Sequence, residues 1–151
     1  MAVSTIYLAA DHAGFEYKNQ LLDHLHHKGY KVEDLGTDVL DEDDDYPKYA
    51  FAAAAKVIGD DDDARAILLC GSGEGMAIAA NRVRGIRAVV CWNVAVARES
   101  RSDNNSNVLC LPSRFLTEQE AFNIAEAWLE AEFSTNPKYE RRIKEIEDIY
   151  G

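Results

Sequence analysis

Five short runs rich in aliphatic and β-branched residues recur along the chain: Ile6–Ala10, Lys31–Leu35, Ala66–Leu69, Ala88–Cys91 and Val108–Leu111. Segments of helical period separate them, at Phe15–Lys28, Tyr46–Ile58, Gly75–Val83 and Asn93–Asp103, and two more follow at Glu118–Phe133 and Lys138–Tyr150. Regular alternation of this kind predicts a parallel α/β sheet covered by helices. Punctuation residues agree with it. Gly29 and Gly59 follow the first two helices, Thr117 with Glu120 has capping-box spacing, and Pro137 suits a first helical turn capped by Asn136. The 151 residues fit a single domain, 1–151, with no internal repeat or linker.

Charge narrows the partners. A formal net charge of −11 sets the chain against nucleic acid, whose phosphates require clustered Lys and Arg. Much of the excess lies in two runs between elements, Asp41-Glu42-Asp43-Asp44-Asp45 and Asp60-Asp61-Asp62-Asp63, which read as solvated loops. Neither has the alternating ligands and late Glu of a calcium loop, so no metal is expected. Cys70, Cys91 and Cys110 form an odd set without C-x-x-C spacing, and no basic leader or membrane-length apolar run is present. A cytoplasmic protein with reduced thiols is expected, with no membrane partner.

Chemistry collects where strands end. In an open parallel sheet, ligands bind beyond the carboxyl ends of the strands, where strand order reverses. Strand one runs into Asp11-His12-Ala13-Gly14 and strand three into Cys70-Gly71-Ser72-Gly73-Glu74-Gly75; strand five ends near Arg114. A strand order of 2-1-3-4-5 would bring Asp11, His12, Cys70 and Ser72 into one crevice. Glycines let backbone approach a ligand, and a helix start offers N–H groups to an anion and eases ionisation of a nearby thiol. Cys70 is open to a reactive or a packing role, whereas Cys91 and Cys110 read as core and His24, His26 and His27 as solvent-facing. The loop lacks the Gly-Lys-Ser/Thr of a nucleotide P-loop and the placement of a dinucleotide fingerprint. Lys138 and Arg142, four apart, share a helix face and fit either a grip on a dianion or a solvated ion-pair surface.

Several motifs occur in one order: Asp11-His12-Ala13-Gly14, Asp34-Leu35-Gly36, Asp45-Tyr46-Pro47, Cys70-Gly71-Ser72-Gly73, Ala79-Ala80-Asn81-Arg82, Gly85-Ile86-Arg87-Ala88, and Asn104 with Asn107-Val108-Leu109. Together they resemble the ribose-5-phosphate isomerase B and galactose-6-phosphate isomerase family over nearly the whole chain. The resemblance implies a Rossmann-like five-stranded parallel sheet and a closing helix at the dimer contact. It further implies a homodimer or dimer of dimers with shared sites, and an aldose–ketose isomerase acting on a sugar phosphate through a cis-enediolate, without cofactor or metal. By the same resemblance Cys70 is the base, with a thiol pKa expected to be depressed. Ser72 relays protons, and the amides of Gly71, Gly73 and Gly75 with Asn104 stabilise the enediolate. His12, Arg114, Lys138 and Arg142 hold the phosphate, Tyr46 lines the sugar pocket, and Asp11 takes part in ring opening.

Two positions depart from the family pattern. Lys138 stands where Arg is usual, replacing a bidentate clamp by a point charge. Asp103 stands where a histidine opens the furanose ring. Three outcomes follow: Asp103 and Asp11 act as a carboxylate pair with one raised pKa, the substrate is another phosphosugar such as a six-carbon one or one that arrives open, or the protein binds sugar phosphate without catalysis.

Overall fold

Every residue of the strand Arg65–Cys70 (β3) is buried, as an apolar run covered on both faces requires. The computed structural model, which describes residues 3–149, places β3 at the centre of a five-stranded parallel sheet. The other strands are β1 (Ile6–Ala10), β2 (Val32–Asp34), β4 (Ala88–Val90) and β5 (Val108–Pro112), in the order β2-β1-β3-β5-β4. The helices are α1 (Phe15–His27), α2 (Tyr46–Gly59), α3 (Glu74–Ala80), α4 (Val94–Asn104), α5 (Glu118–Glu130) and α6 (Pro137–Ile149). Two 3₁₀ turns, His12–Gly14 and Ser113–Phe115, follow β1 and β5.

Alternation along the strands divides the core. Ile6, Leu8, Ile67, Leu69, Leu109 and Leu111 pack with α1 and α5 around Trp128, while Tyr7, Ala9, Ala66, Leu68, Cys70 and Cys110 face α2 and α3. Ala50, Ala53 and Ala54 give α2 a small-residue face against the sheet. Cys91 and Cys110 are core residues, as expected.

The order 2-1-3-4-5 is corrected: β5 lies beside β3, and β4 takes the edge. Three-residue β4 has one buried position against five for β5, so the longer, fully covered strand lies inside and the short one at the edge. The reversal between β1 and β3 survives, and Cys70 now pairs with Pro112, drawing the turn that carries Arg114 toward it. Gly29 closes α1 at φ 89°, but α2 runs through Gly59 and ends at Asp60. The Thr117–Glu120 capping box forms, and Asn136 accepts from the Lys138 amide at the start of α6. Tyr150 lies outside the described residues. None of the described helices is long and apolar enough to cross a membrane.

Candidate active site

Where β1 ends, the Asp11 carboxylate turns back on its own chain and accepts from the amides of Ala13 (3.0 Å) and Gly14 (3.4 Å). It is 7% exposed, and burial raises its pKa against the pull of those amides and of His12. A carboxyl group so placed exchanges a proton nearer neutrality than an exposed one.

His12, beside it, is exposed. Its Nδ1 lies 2.8 Å from Asp44 Oδ1, and the same oxygen accepts from the His12 amide at 3.0 Å. The hydrogen bond to Asp44 is the main cause that raises the His12 pKa, with Asp11, Asp44 and Glu42 adding charge attraction. His12 is thus biased toward imidazolium, a cation at the mouth of the crevice.

At the end of β3, Cys70 is 4% exposed and its Sγ accepts from the Gly73 amide at 3.1 Å. The expected depressed thiol is not found. Burial raises the Cys70 pKa above its ordinary value, and nearby Asp11 adds to the rise, while the amides of Met76, Gly73 and Ser72 oppose it. The helix start does favour thiolate, but the withdrawal of sulfur from water outweighs it.

The glycines have local reasons. Gly73 takes φ 76°, a left-handed turn that aims the amides at sulfur. A Cβ on Gly71 would stand 2.8 Å from the Arg114 guanidinium, and one on Gly75 2.7 Å from the Tyr46 ring. Arg114 and Tyr46 therefore lie directly against the loop, and the Arg114 amide donates to the Gly71 carbonyl at 3.0 Å. Ser72 Oγ accepts from the Glu74 amide at 3.3 Å.

Asp103, Asn104, Lys138 and Arg142 are not part of this cluster. α4 runs from the carboxyl edge of the sheet to the amino edge, where the Asn104 carbonyl accepts from Arg87 Nε at 3.1 Å just before β4 begins. Cys70 ends the other edge, and the five residue steps of β3 alone span about 16 Å. Asp103 accepts from the Ser102 hydroxyl at 2.8 Å and makes no pair with Asp11, so the carboxylate pair, one of the three outcomes above, is absent within one chain. α6 follows α4: the Ser134 amide donates to the Ser102 carbonyl, and Glu147 pairs with Arg87 at 2.9 Å. Lys138 and Arg142 flank the Tyr139 ring, with cationic centres 4.9 and 5.8 Å from its centroid. The expected site residues of one chain therefore fall on opposite edges of its sheet.

Other motif residues are structural. Asn81 bridges to both backbone groups of Ala88, and Asn107 accepts from Arg87 N and donates to Gly85 O, so both asparagines extend the strand pairing at the start of β4. Asp34 pairs with Lys18, 1% exposed, at 2.9 Å. His24 is half-buried rather than solvent-facing, stacked on Phe122 and paired with Glu126, because α5 packs beside α1. Asp44, Tyr49 and Lys18 escaped the sequence reading; adjacency to Asp45-Tyr46-Pro47 is the sole local sign of Asp44. A cleft of about 900 Å³ at the amino edge, lined by Arg65, Arg87, Arg101 and Asp60–Asp63, holds none of the expected site residues.

Comparison with known proteins places the fold. The family model described as Ribose/Galactose Isomerase matches residues 6–146. A probable ribose-5-phosphate isomerase B of Mycoplasma genitalium is 40% identical over 141 residues, 93% of this chain and 92% of that protein. The crystal structure of ribose-5-phosphate isomerase B from that organism with bound ribulose-5-phosphate superposes with a TM-score of 0.93 at 39% identity, covering 97% of this chain and 95% of the other. A D-erythrulose-4-phosphate isomerase of Pectobacterium atrosepticum is 40% identical over 140 residues, covering 91% of each chain.

Proposed function

The chain belongs to the ribose/galactose isomerase family, and we propose that it interconverts ribose 5-phosphate and ribulose 5-phosphate through a cis-enediolate. One observation carries the reading: a buried cysteine, held by amides of a glycine loop, ends the central strand of a chain that superposes almost completely on a relative with bound ribulose-5-phosphate.

Asp11, with its raised pKa, exchanges the ring proton that opens the furanose. Cys70 thiolate then removes the proton from C2 of the open aldose, and charge gathers on O1. Amides of Gly71 and Gly75 are available to that oxygen, while the Gly73 amide holds the Cys70 sulfur; such preorganised donors contribute several kcal/mol to transition-state stabilisation, roughly 3 per donor. Ser72 passes the proton from O2 to O1, and Cys70 returns its own to C1. His12 and Arg114 bind the phosphate from this edge, while Tyr46 walls the sugar.

The other half-site reaches the cleft from a second copy. Asn104, Lys138 and Arg142 of one chain then face Cys70 of its mate, and their cations favour the thiolate that burial disfavours. A cytoplasmic setting with reduced thiols suits the three free cysteines.

A second reading has its own support. The Pectobacterium relative acts, by its name, on erythrulose 4-phosphate. A four-carbon sugar with O4 phosphorylated cannot close a furanose, so its isomerase needs no ring-opening histidine, which fits Asp103. Assaying the purified protein with ribose 5-phosphate, erythrulose 4-phosphate and hexose 6-phosphates decides. Highest kcat/KM with ribose 5-phosphate is expected; preference for erythrulose 4-phosphate reassigns the substrate, and saturable binding of all three without turnover contradicts an isomerase.

A further inference from the structure

Asp44 belongs to an acidic run in which the other four carboxylates are exposed, yet its own side chain is 4% exposed. Oδ1 accepts from both the amide and Nδ1 of His12, and Oδ2 accepts from the Tyr49 hydroxyl at 3.0 Å. Two hydrogen bonds to one residue fix both the ring and the backbone that carries it. With Nδ1 committed, His12 offers Nε2 outward; among the described residues that nitrogen has no hydrogen-bond partner. We propose that Asp44 is a positioning residue that keeps His12 an imidazolium and turns its Nε2–H toward the substrate phosphate. The proposal rests on the isomerase reading only for the identity of the phosphate's bearer.

The reason for such a device lies in two overlapping titrations. A phosphate monoester becomes a dianion above about pH 6, whereas an ordinary histidine loses its proton near ~6.5. Dianion and imidazolium would then coexist over a window of only about half a pH unit. Charges around His12 widen it from the alkaline side: Asp11 on its own turn, Asp44 and Glu42 from the acidic run, with Tyr49 of α2 behind Asp44. Cys70 of β3 and the turn bearing Arg114 also pack on this side; Arg114 opposes the protonated ring but shares its anionic ligand. The sign follows: affinity owed to His12 is complete below its raised pKa and is lost as pH climbs through it.

The test is Asp44→Asn, which keeps the shape and an accepting oxygen but removes the charge. NMR titration of the His12 ring in the unliganded protein should give a value above that of a free histidine, falling by at least about one pH unit in D44N. KM for ribose 5-phosphate should rise about tenfold at the alkaline side of neutrality, converging on wild type near pH 6, with kcat changed far less. Asp44→Glu, which retains the charge, should recover part of the loss. In the wild type alone, the affinity for inorganic phosphate should decline with the same midpoint as the His12 titration. Identical His12 titrations in both proteins, a KM increase equal at every pH, or a phosphate midpoint away from that of His12 would overturn the assignment. Absence of wild-type turnover would instead defeat the isomerase reading, since ring titration and phosphate binding need no catalysis.

Discussion

Cys70 shows how far a residue's surroundings depart from its local sequence. A glycine loop and helix start favour thiolate, but the sulfur also closes the central strand of a doubly covered sheet, and burial raises its pKa. The base form therefore accrues as pH rises. We expect kcat to climb between about pH 6 and about pH 9, by close to tenfold per unit while the thiol remains mostly protonated. The same increase should be missing in Cys70→Ala, whose residual kcat should be lower by about 10² or more. A flat wild-type profile would mean that another group moves the proton. Asp44 carries a related lesson: five consecutive acids look alike, and only the fold selects the one that His12 and Tyr49 contact.

At the scale of elements, boundaries were legible because apolar period and capping chemistry are local. All five strands and six helices were readable within a few residues, and so was the Thr117 capping box. Strand order was not legible, since nothing local says whether β4 or β5 lies beside β3; the shorter, half-exposed strand took the edge. Lys18 was equally hidden, because its partner Asp34 lies on β2, across the α1–β2 loop. Elements also set the width of the crevice. α2 begins with Tyr46 lying on Gly75 in the first turn of α3, so Gly75→Ala should push the ring aside. Overpacking of this kind costs about 1–3 kcal/mol. A loss of kcat/KM of about tenfold or more is expected, with the melting temperature lowered by about 2–12 °C. Unchanged kinetics would show that Tyr46 does not shape the pocket.

For the whole molecule, the decisive fact is that the expected site residues fall on opposite edges of one sheet. Resemblance placed all of them in one list, and one chain's topology divides them into Asp11, His12, Tyr46, Cys70, Ser72 and Arg114 on one side and Asp103, Asn104, Lys138 and Arg142 on the other. α6, without a buried residue and with Ile146 and Ile149 exposed, is the element free to meet a second copy. On the reading proposed above, an active crevice forms only between chains. Co-expressing Cys70→Ala with a Lys138→Ala/Arg142→Ala variant and assaying ribose 5-phosphate isomerisation tests this directly. Each variant alone should be nearly inactive, but a symmetric mixed dimer rebuilds one intact crevice of its two. A one-to-one mixture should therefore regain about a quarter of wild-type activity. Activity no higher than that of either variant alone would contradict a site shared between chains.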